Sequence, residues 1–461
     1  MKNTGQWRKL SAISARRVAG VALLAVRAAL RTKTVAALLV LLAAGVAVMP
    51  IVVQGDGTPE GDLQILLSYT LGFSFAMLCL ATMWAACALF AAEIDSALMQ
   101  LSAVKPVKSA EFWLGKWCAL IALDAILLTA VYAAVYAQVQ WRIFHSGWGV
   151  LERPVCRYVS RPLLPSPEDE AREVYEGLLR RDALPEGMSE RALLRVLEER
   201  AIDKYDVINP GEATVWRFEL RRPIGYARHL TVRVKFDTEF STRENVTGIC
   251  RLRSLERPDA FVDVELNDFT LNEIEFAVDT RAFGIGEGDV MREFELAFRH
   301  TGDPGSASGI MLRFRQDVAL LTPGGTFEAN MLRSALVHGS VLALLAAFGL
   351  TLSACFTLPV AAFAATVLLM LAVVGNSVVQ VATEEDSRFV FHRVGVWVSR
   401  GVHIATSQAM RAEPLTALTR GERIASRAVA ESVIWNGMVL PLIFAAAGCW
   451  VLRRRELADP S

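Results

Sequence analysis

The sequence lacks the motifs that would let the chain use ATP or hydrolyse a substrate by itself. It contains no G-x-x-x-x-G-K-[ST] phosphate loop, so it cannot cradle ATP phosphates in that way. Metalloprotease H-E-x-x-H and nucleophile-elbow G-x-S-x-G motifs are also absent. Its seven cysteines include no pair with zinc-ligand spacing, and the zero net charge gives no indication of nucleic acid. We therefore expect a protein that is not an enzyme, with no catalytic residue, metal, cofactor or nucleic-acid partner.

Charge is missing from several stretches that are long enough to cross a bilayer, for which about 20 apolar residues suffice. Leu63–Ala92 holds 30 uncharged residues, and Gly339–Thr383 holds 45. The second stretch is too long for one span, and Pro359 indicates a tight connection inside it. Six spans are predicted in all: 34–53, 63–92, 116–140, two within 339–383, and 432–452. Since the chain is 53% hydrophobic but still 21% charged, an aqueous domain must accompany them.

Positive charge is concentrated at the N-terminus, where residues 1–33 carry eight Lys or Arg and no acid. Basic residues beside the first span stay cytoplasmic, so the N-terminus is expected inside and the first span is expected to remain as an anchor. The pattern of 6–33 predicts an amphipathic helix lying against membrane lipid, with a soluble tail helix as the alternative. Six crossings return the basic segment Arg453–Arg455 to the same side. The predicted location is the bacterial cytoplasmic (inner) membrane.

Residues 142–331 are predicted to form a separate domain outside the cytoplasm. Ser166 followed by Pro167 predicts the start of a helix over 168–180. After the turn at 209–211 the hydrophobic period becomes two, which is typical of half-buried strands. Six segments show it: 216–220, 230–236, 262–266, 274–278, 294–298 and 310–314. The expected fold is therefore membrane α-helical, with six transmembrane helices plus an extracytoplasmic α+β domain that forms a β-sandwich.

The predicted organisation follows the chain in six parts. They are an interfacial helix (1–33), spans one to three (34–141), the β-rich domain (142–331), spans four and five (332–383), an extracytoplasmic loop with an interfacial helix (384–431), and span six with a basic cytoplasmic tail (432–461). The loop 384–431 carries seven Arg against six acids, which opposes an outside location. The N-terminal and C-terminal basic segments outweigh it, because orientation depends most on the first span.

A short polar loop, 93–116, lies between the second and third spans. It begins with acidic residues at the end of a span, continues through a short helix, 95–102, and a Lys-Pro pair, and ends on Gly-Lys. The residues are Glu93, Asp95, Lys105, Pro106, Gly115 and Lys116. This loop resembles the cytoplasmic coupling loop of ATP-binding-cassette (ABC) export permeases of the second type. The N-terminal amphipathic helix, the six spans and the large segment after the third span are similar to that family too, although its smallest members have no such β domain.

The resemblance implies a permease subunit of an ATP-driven ABC exporter that moves an unidentified substrate. It further implies that the six named loop residues couple the spans to a separate cytoplasmic ABC ATPase, and that the chain pairs with a second permease copy or a related permease. The alternative is a non-transporting multi-span membrane protein whose extracytoplasmic β domain binds a ligand or a partner. An isolated gene would favour the alternative, and a neighbouring gene for a phosphate-loop ATPase would favour the exporter.

Two further sets of residues stand out. Asp124 lies eight residues into the predicted third span, where its carboxyl group would face a translocation path or take part in proton coupling, or would accept a structural hydrogen bond from a neighbouring helix or stay hydrated near the interface. We favour the last two interpretations. Cys156 and Cys250 are the cysteines of the β-rich domain, and an oxidising compartment would permit a disulfide between them, with two separate thiols as the alternative.

Overall fold

A computed structural model describes residues 14–30, 33–53, 59–95, 108–145, 155–181, 190–202, 205–238, 242–284, 286–302, 309–367, 370 and 413–454. Contacts divide the chain into two compact units. One comprises 1–154 together with 326–461, and the other is 155–325. The first unit is helical, and the second is rich in strands.

The described part of the helical unit consists of long apolar helices and several shorter ones. Its elements are α1 (Ala15–Leu30), α2 (Lys33–Val52), α3 (Pro59–Ile65), the π-helical segment π1 (Leu66–Leu71), α4 (Gly72–Asp95) and α5 (Ser109–His145). After the β-rich unit follow α9 (Phe327–Cys355), α10 (Leu358–Val367), α11 (Pro414–Thr419), α12 (Ser426–Ile434), the segment π2 (Trp435–Val439) and α13 (Leu440–Arg454). The helices α6 to α8 belong to the β-rich unit.

Four helical segments of the described chain are long and apolar enough to cross a membrane: Gly61–Leu89, Ser109–His145, Phe327–Cys355 and Ser426–Leu452. They correspond to the predicted spans two, three, four and six. The helix α2 coincides with the predicted first span, and the short helix α10 begins the predicted fifth. The connection between α9 and α10 lies beside Pro359, as predicted. Most of the segment 384–431, including its predicted interfacial helix, lies outside the described residues.

Three predicted boundaries need correction. The third span begins at Ser109 rather than Lys116, so the end of the predicted loop 93–116 is helical. The same helix runs to His145, so the start of the predicted domain 142–331 is helical too. The fourth span begins at Phe327, and the β-rich unit ends at Gly325. The last helix begins at Ser426, so 426–431 belongs to a span-forming helix rather than to a loop.

The helical unit is apolar outside and carries polar groups inside, as expected for a protein surrounded by lipid. Val40, Ile126 and Leu332 are each more than 60% exposed, whereas Asp124 and Asn436 are buried. The interior also holds leucine-rich clusters contributed by α2, π1, α4, α5 and α9. The helices therefore pack around a core that includes both apolar and hydrogen-bonding side chains.

The described residues of the β-rich unit form ten strands and three helices. The strands are β1 (Cys156–Ser160), β2 (Tyr205–Ile208), β3 (Ala213–Gly225), β4 (His229–Lys235), β5 (Asn245–Ser254), β6 (Phe261–Phe269), β7 (Glu273–Asp279), β8 (Val290–His300), β9 (Ile310–Arg313) and β10 (Val318–Gly325). The helices are α6 (Pro167–Arg180), α7 (Glu190–Ile202) and the short α8 (Phe314–Asp317), and a 3-10 turn covers Thr280–Phe283. All paired strands are antiparallel.

Two four-stranded sheets share one hydrophobic core. Their strand orders are β1-β10-β4-β7 and β3-β8-β5-β6, and β2 pairs separately with β9. The core takes side chains from both sheets, and the rings of Phe236 and Phe298 lie 4.7 Å apart between their centroids. This arrangement confirms a sheet domain of the predicted kind, and each of the six period-two segments contributes a strand.

The helix α6 starts as its sequence predicts. Ser166 adopts an extended conformation, and its hydroxyl accepts a hydrogen bond from the backbone N–H of Asp169, with Pro167 in the first turn. Helix α6 packs against α7 through a small apolar cluster of its own, in which Ala171, Leu193 and Leu197 are buried. This helical pair is therefore an addition to the two-sheet core.

Candidate functional site

The first turn of α5 holds a buried carboxylate that fastens α1 to the bundle. Glu111 is completely buried, and its Oε1 accepts a hydrogen bond of 2.9 Å from the backbone N–H of Ser14. The backbone N–H of Lys108 donates to Oε2 over 3.1 Å. Arg17 forms an ion pair with Oε1 at 3.0 Å. The carboxylate therefore joins the start of α1 to the start of α5, where the positive end of the helix dipole also favours it.

The two helices approach most closely at Gly115. A Cβ atom at this position would lie 2.6 Å from Cβ of Val21 and 3.0 Å from the carbonyl oxygen of Val18. Real Cβ atoms do not come that near, so any larger side chain would push α1 away from α5. Gly115 is thus a contact residue within the helical unit. Its predicted role in coupling to an ATPase stays a prediction.

Lys116 has a similar interior role. Its side chain is almost fully buried, its Nζ donates a hydrogen bond of 2.7 Å to the carbonyl oxygen of Leu89, and the ammonium lies 4.5 Å from the ring centroid of Phe112. A buried ammonium is stable only with such partners. Lys116 therefore ties the last turns of α4 to α5, and it does not present its charge to a soluble subunit.

The other predicted coupling residues flank or occupy the segment between these helices. Glu93 and Asp95 lie in the last turn of α4, which ends at Asp95. Lys105, Pro106 and residues 96–102 of the predicted loop helix lie outside the described residues. The segment between the two helices, 96–108, is thus shorter than the predicted loop 93–116. Lys116 connects α5, which follows the segment, to α4, which precedes it.

Asp124 lies in the interior of the bundle, between α5 and α4. Its Oδ1 accepts a hydrogen bond of 2.8 Å from the hydroxyl of Thr82, which is itself buried. This contact is the structural hydrogen bond to a neighbouring helix that we favoured. The second carboxyl oxygen, Oδ2, is buried and has no hydrogen-bond partner among the residues that the structure describes.

A second polar cluster, two helical turns along α5, was not predicted. The hydroxyl of Tyr132 lies 2.7 Å from Nδ1 of His338 and 2.7 Å from the hydroxyl of Ser334, and His338 stacks on the ring of Phe75 with centroids 3.9 Å apart. Polar residues within apolar stretches are the signal that could have found them. Their partners lie about two hundred positions away along the chain, which the sequence does not reveal.

Further polar contacts hold the last helices to α9. The Nδ2 of Asn330 donates to the carbonyl oxygen of Glu422 over 2.8 Å, and its Oδ1 accepts from the N–H of Ile424 over 3.0 Å. The hydroxyls of Ser340 and Ser432 lie 2.8 Å apart. These contacts fasten the segment before α12, and α12 itself, to α9.

The predicted disulfide is not formed between Cys156 and Cys250, both of which the structure describes. Cys156 lies on the edge strand β1 opposite Gly325, whereas Cys250 lies on β5 between Val264 and Phe298. The two strands belong to different sheets, and Cys250 is in the shared core. Burial raises the pKa of the Cys250 thiol to about 12, which makes this side chain a small hydrophobe.

The outward faces of the two sheets carry paired charges. Glu295 on β8 lies between Arg217 and Arg253, with nitrogen–oxygen distances of 3.5 and 2.5 Å. Arg233 on β4 is nearly buried between Glu273 and Glu275, at 2.6 and 2.7 Å. Charges of opposite sign thus compensate each other across neighbouring strands in both clusters.

Neither a protein-family model, nor a curated protein, nor a solved structure matches this chain.

Proposed function

We propose that this chain is the membrane-spanning permease subunit of an ATP-driven ABC exporter. In this proposal six helices span the bacterial cytoplasmic membrane, the β-rich unit lies outside, and both termini lie in the cytoplasm. A separate ATPase binds the polar segment between α4 and α5, and a second permease copy completes the translocation path. The substrate is unidentified.

The observation that carries the proposal is the way in which that polar segment is anchored. A mechanical coupling site must pass the movement of an ATPase to the spans as a rigid body. Lys116 on α5 bonds to α4, and Glu111, also on α5, bonds to the start of α1. A force applied to 96–107 would therefore reach three helices together. A loop that only connects two helices does not require these buried polar contacts between the helices at its ends.

Copurification tests the proposal directly. The chain is expressed with a candidate phosphate-loop ATPase, and both copurification and chain-dependent ATP turnover in vesicles are measured. The double variant Glu93→Arg with Pro106→Ala should lose turnover while it still inserts into the membrane. The matched charge reversal Glu176→Arg, on the exposed surface of α6, should leave turnover unchanged. Unchanged copurification and turnover in the double variant would refute the coupling role.

The proposed orientation has its own test. A membrane-impermeant thiol reagent added to intact spheroplasts should label a cysteine introduced at Glu176 and should not label one at Lys105. After permeabilisation both sites should react. The reverse pattern would place the segment between α4 and α5 outside the cytoplasm, where no cytoplasmic ATPase could bind it, and would refute the exporter proposal.

The alternative is a non-transporting membrane protein whose β-rich unit binds a ligand or a partner. The observation that favours it is the complete core of that unit, which needs no help from the spans to bury its apolar side chains. If the β-rich unit still binds its ligand or partner, and the cellular phenotype of the chain persists, when the partner ATPase is deleted, this alternative is supported over the exporter.

A further inference from the structure

Asp124 occupies the interior of the longest helix of the bundle. The helix α5 has 37 residues, and Asp124 lies about 22 Å from its first residue and about 32 Å from its last at 1.5 Å per residue. Trp141, an exposed aromatic side chain typical of a membrane interface, lies about 25 Å away by the same rise. Because the hydrocarbon core is about 30 Å thick, the carboxyl group lies inside it, in the half opposite Trp141.

Only one of the two oxygen atoms of this carboxyl group accepts a hydrogen bond. The Thr82 hydroxyl donates to Oδ1, but Oδ2 is buried and accepts no hydrogen bond from the described residues. The nearby titratable group is Cys79 on α4, which interacts electrostatically with Asp124, and the cluster of Tyr132 and His338 lies two helical turns further along α5. Tyr132 and His338 are already bonded to each other. No Lys or Arg side chain of the described residues forms an ion pair with Asp124.

A bare negative charge at this place would be very costly, since one hydroxyl cannot replace the water shell of a carboxylate. A proton on Oδ2 removes the charge and needs no further ligand. A metal cation would need several oxygen ligands, and no group of three or more acidic, His or Cys side chains able to hold one occurs in the described part of the chain. The geometry therefore favours a proton as the occupant of Oδ2.

We propose that Asp124 is a proton-binding site buried between α4 and α5, neutral while these two helices are in contact. When the contact at Thr82 opens, water reaches the carboxyl group, the O–H bond on Oδ2 breaks, and the proton passes to water and leaves a carboxylate. When the helices close again the carboxylate takes a proton back. The site is distinct from the polar segment at 96–107, and it does not depend on the identity of the ATPase.

Infrared difference spectroscopy tests this on the full chain in lipid vesicles at neutral pH. The spectrum of the wild type minus that of Asp124→Asn should contain the C=O stretch of a protonated carboxyl group. In D₂O this band should shift slowly, because exchange requires the helices to separate. A carboxylate stretch in place of the C=O band would overturn the proposal, as would a shift complete at the moment of mixing.

Two variants at Thr82 keep the test decisive if Asp124→Asn fails to insert. Thr82→Val removes the donor to Oδ1 and should move the carbonyl band to a different frequency. Thr82→Ser keeps a hydroxyl group and should leave the band near its wild-type position. If neither variant moves the band, it does not arise from Asp124. If replacing K⁺ by Na⁺ at constant pH converts the band into a carboxylate stretch, the site binds a metal cation and the proton assignment is wrong.

Discussion

Replacing Glu111 by Gln should release α1 from the bundle. The glutamine has the same shape but no charge and only one acceptor oxygen, so one of the N–H groups of Ser14 and Lys108 keeps a neutral hydrogen bond and the other faces the amide NH2 group and loses its bond. A hydrogen bond to a charged group contributes about 1.5–3 kcal/mol and a neutral one about 0.5–1.5 kcal/mol. The lost bond and the weakened bond together cost about 3 kcal/mol. The ion pair with the partly exposed Arg17 adds up to about 1 kcal/mol.

A total of about 3–4 kcal/mol corresponds to about a 100- to 1000-fold change in the equilibrium between docked and released α1. Amide hydrogen exchange reports that equilibrium directly. In the full chain in lipid, protection of the amides of 14–30 should fall by about this factor in Glu111→Gln. Protection in the β-rich unit should not change.

Three comparison variants make the result interpretable. Arg17→Gln removes the exposed partner alone and should cost at most about 1 kcal/mol. Gly20→Ala, where a Cβ atom meets open space, should raise helix stability by about 0.5–1 kcal/mol. Gly115→Ala should displace α1 by steric contact with Val21. If Glu111→Gln leaves the exchange of α1 unchanged, the buried carboxylate does not hold this helix and the argument from the buried polar contacts fails.

Further predictions concern the β-rich unit. Gly248→Ala should destabilise it by about 1–3 kcal/mol in pulse proteolysis, because the new methyl group would overlap the ring of Phe298. Gly177→Ala, a helical position with free space, should instead stabilise it slightly. Burial lowers the pKa of His300 below its unfolded value of about 6.5, so stability is fully present above that pH and is lost as the pH falls through the folded pKa. His300→Gln should flatten this pH dependence, and an unchanged profile would refute it.

The strands were predictable where only one side of a sheet is buried. Along β3, exposed and buried residues alternate over Val215–Leu220, and the sequence shows the same alternation. The strand β10 was not predicted. Its residues Val318, Ala319, Leu320 and Leu321 are all buried, so hydrophobic and polar residues do not alternate along it. A strand covered on both faces resembles any short apolar run.

The helix boundaries were harder to predict for a related reason. Charged residues normally indicate the end of a span, and Glu111 and Lys116 were therefore placed in a loop. Both are buried in α5, because partners on other elements compensate their charge. Those partners, Ser14 and Leu89, are distant along the chain, so the pairing cannot be read from local sequence. The same holds for the contact between Tyr132 and His338.

Site-specific photo-crosslinking in native membranes is the most direct test of the exporter proposal. A photoreactive residue replaces Lys105, in the segment between α4 and α5, and a matched one replaces the exposed apolar Leu442 on α13. The proposal predicts that position 105 crosslinks to a protein carrying a phosphate loop and that position 442 does not. If the inserted chain yields no phosphate-loop protein from position 105, the assignment as the permease of an ATP-driven exporter is contradicted.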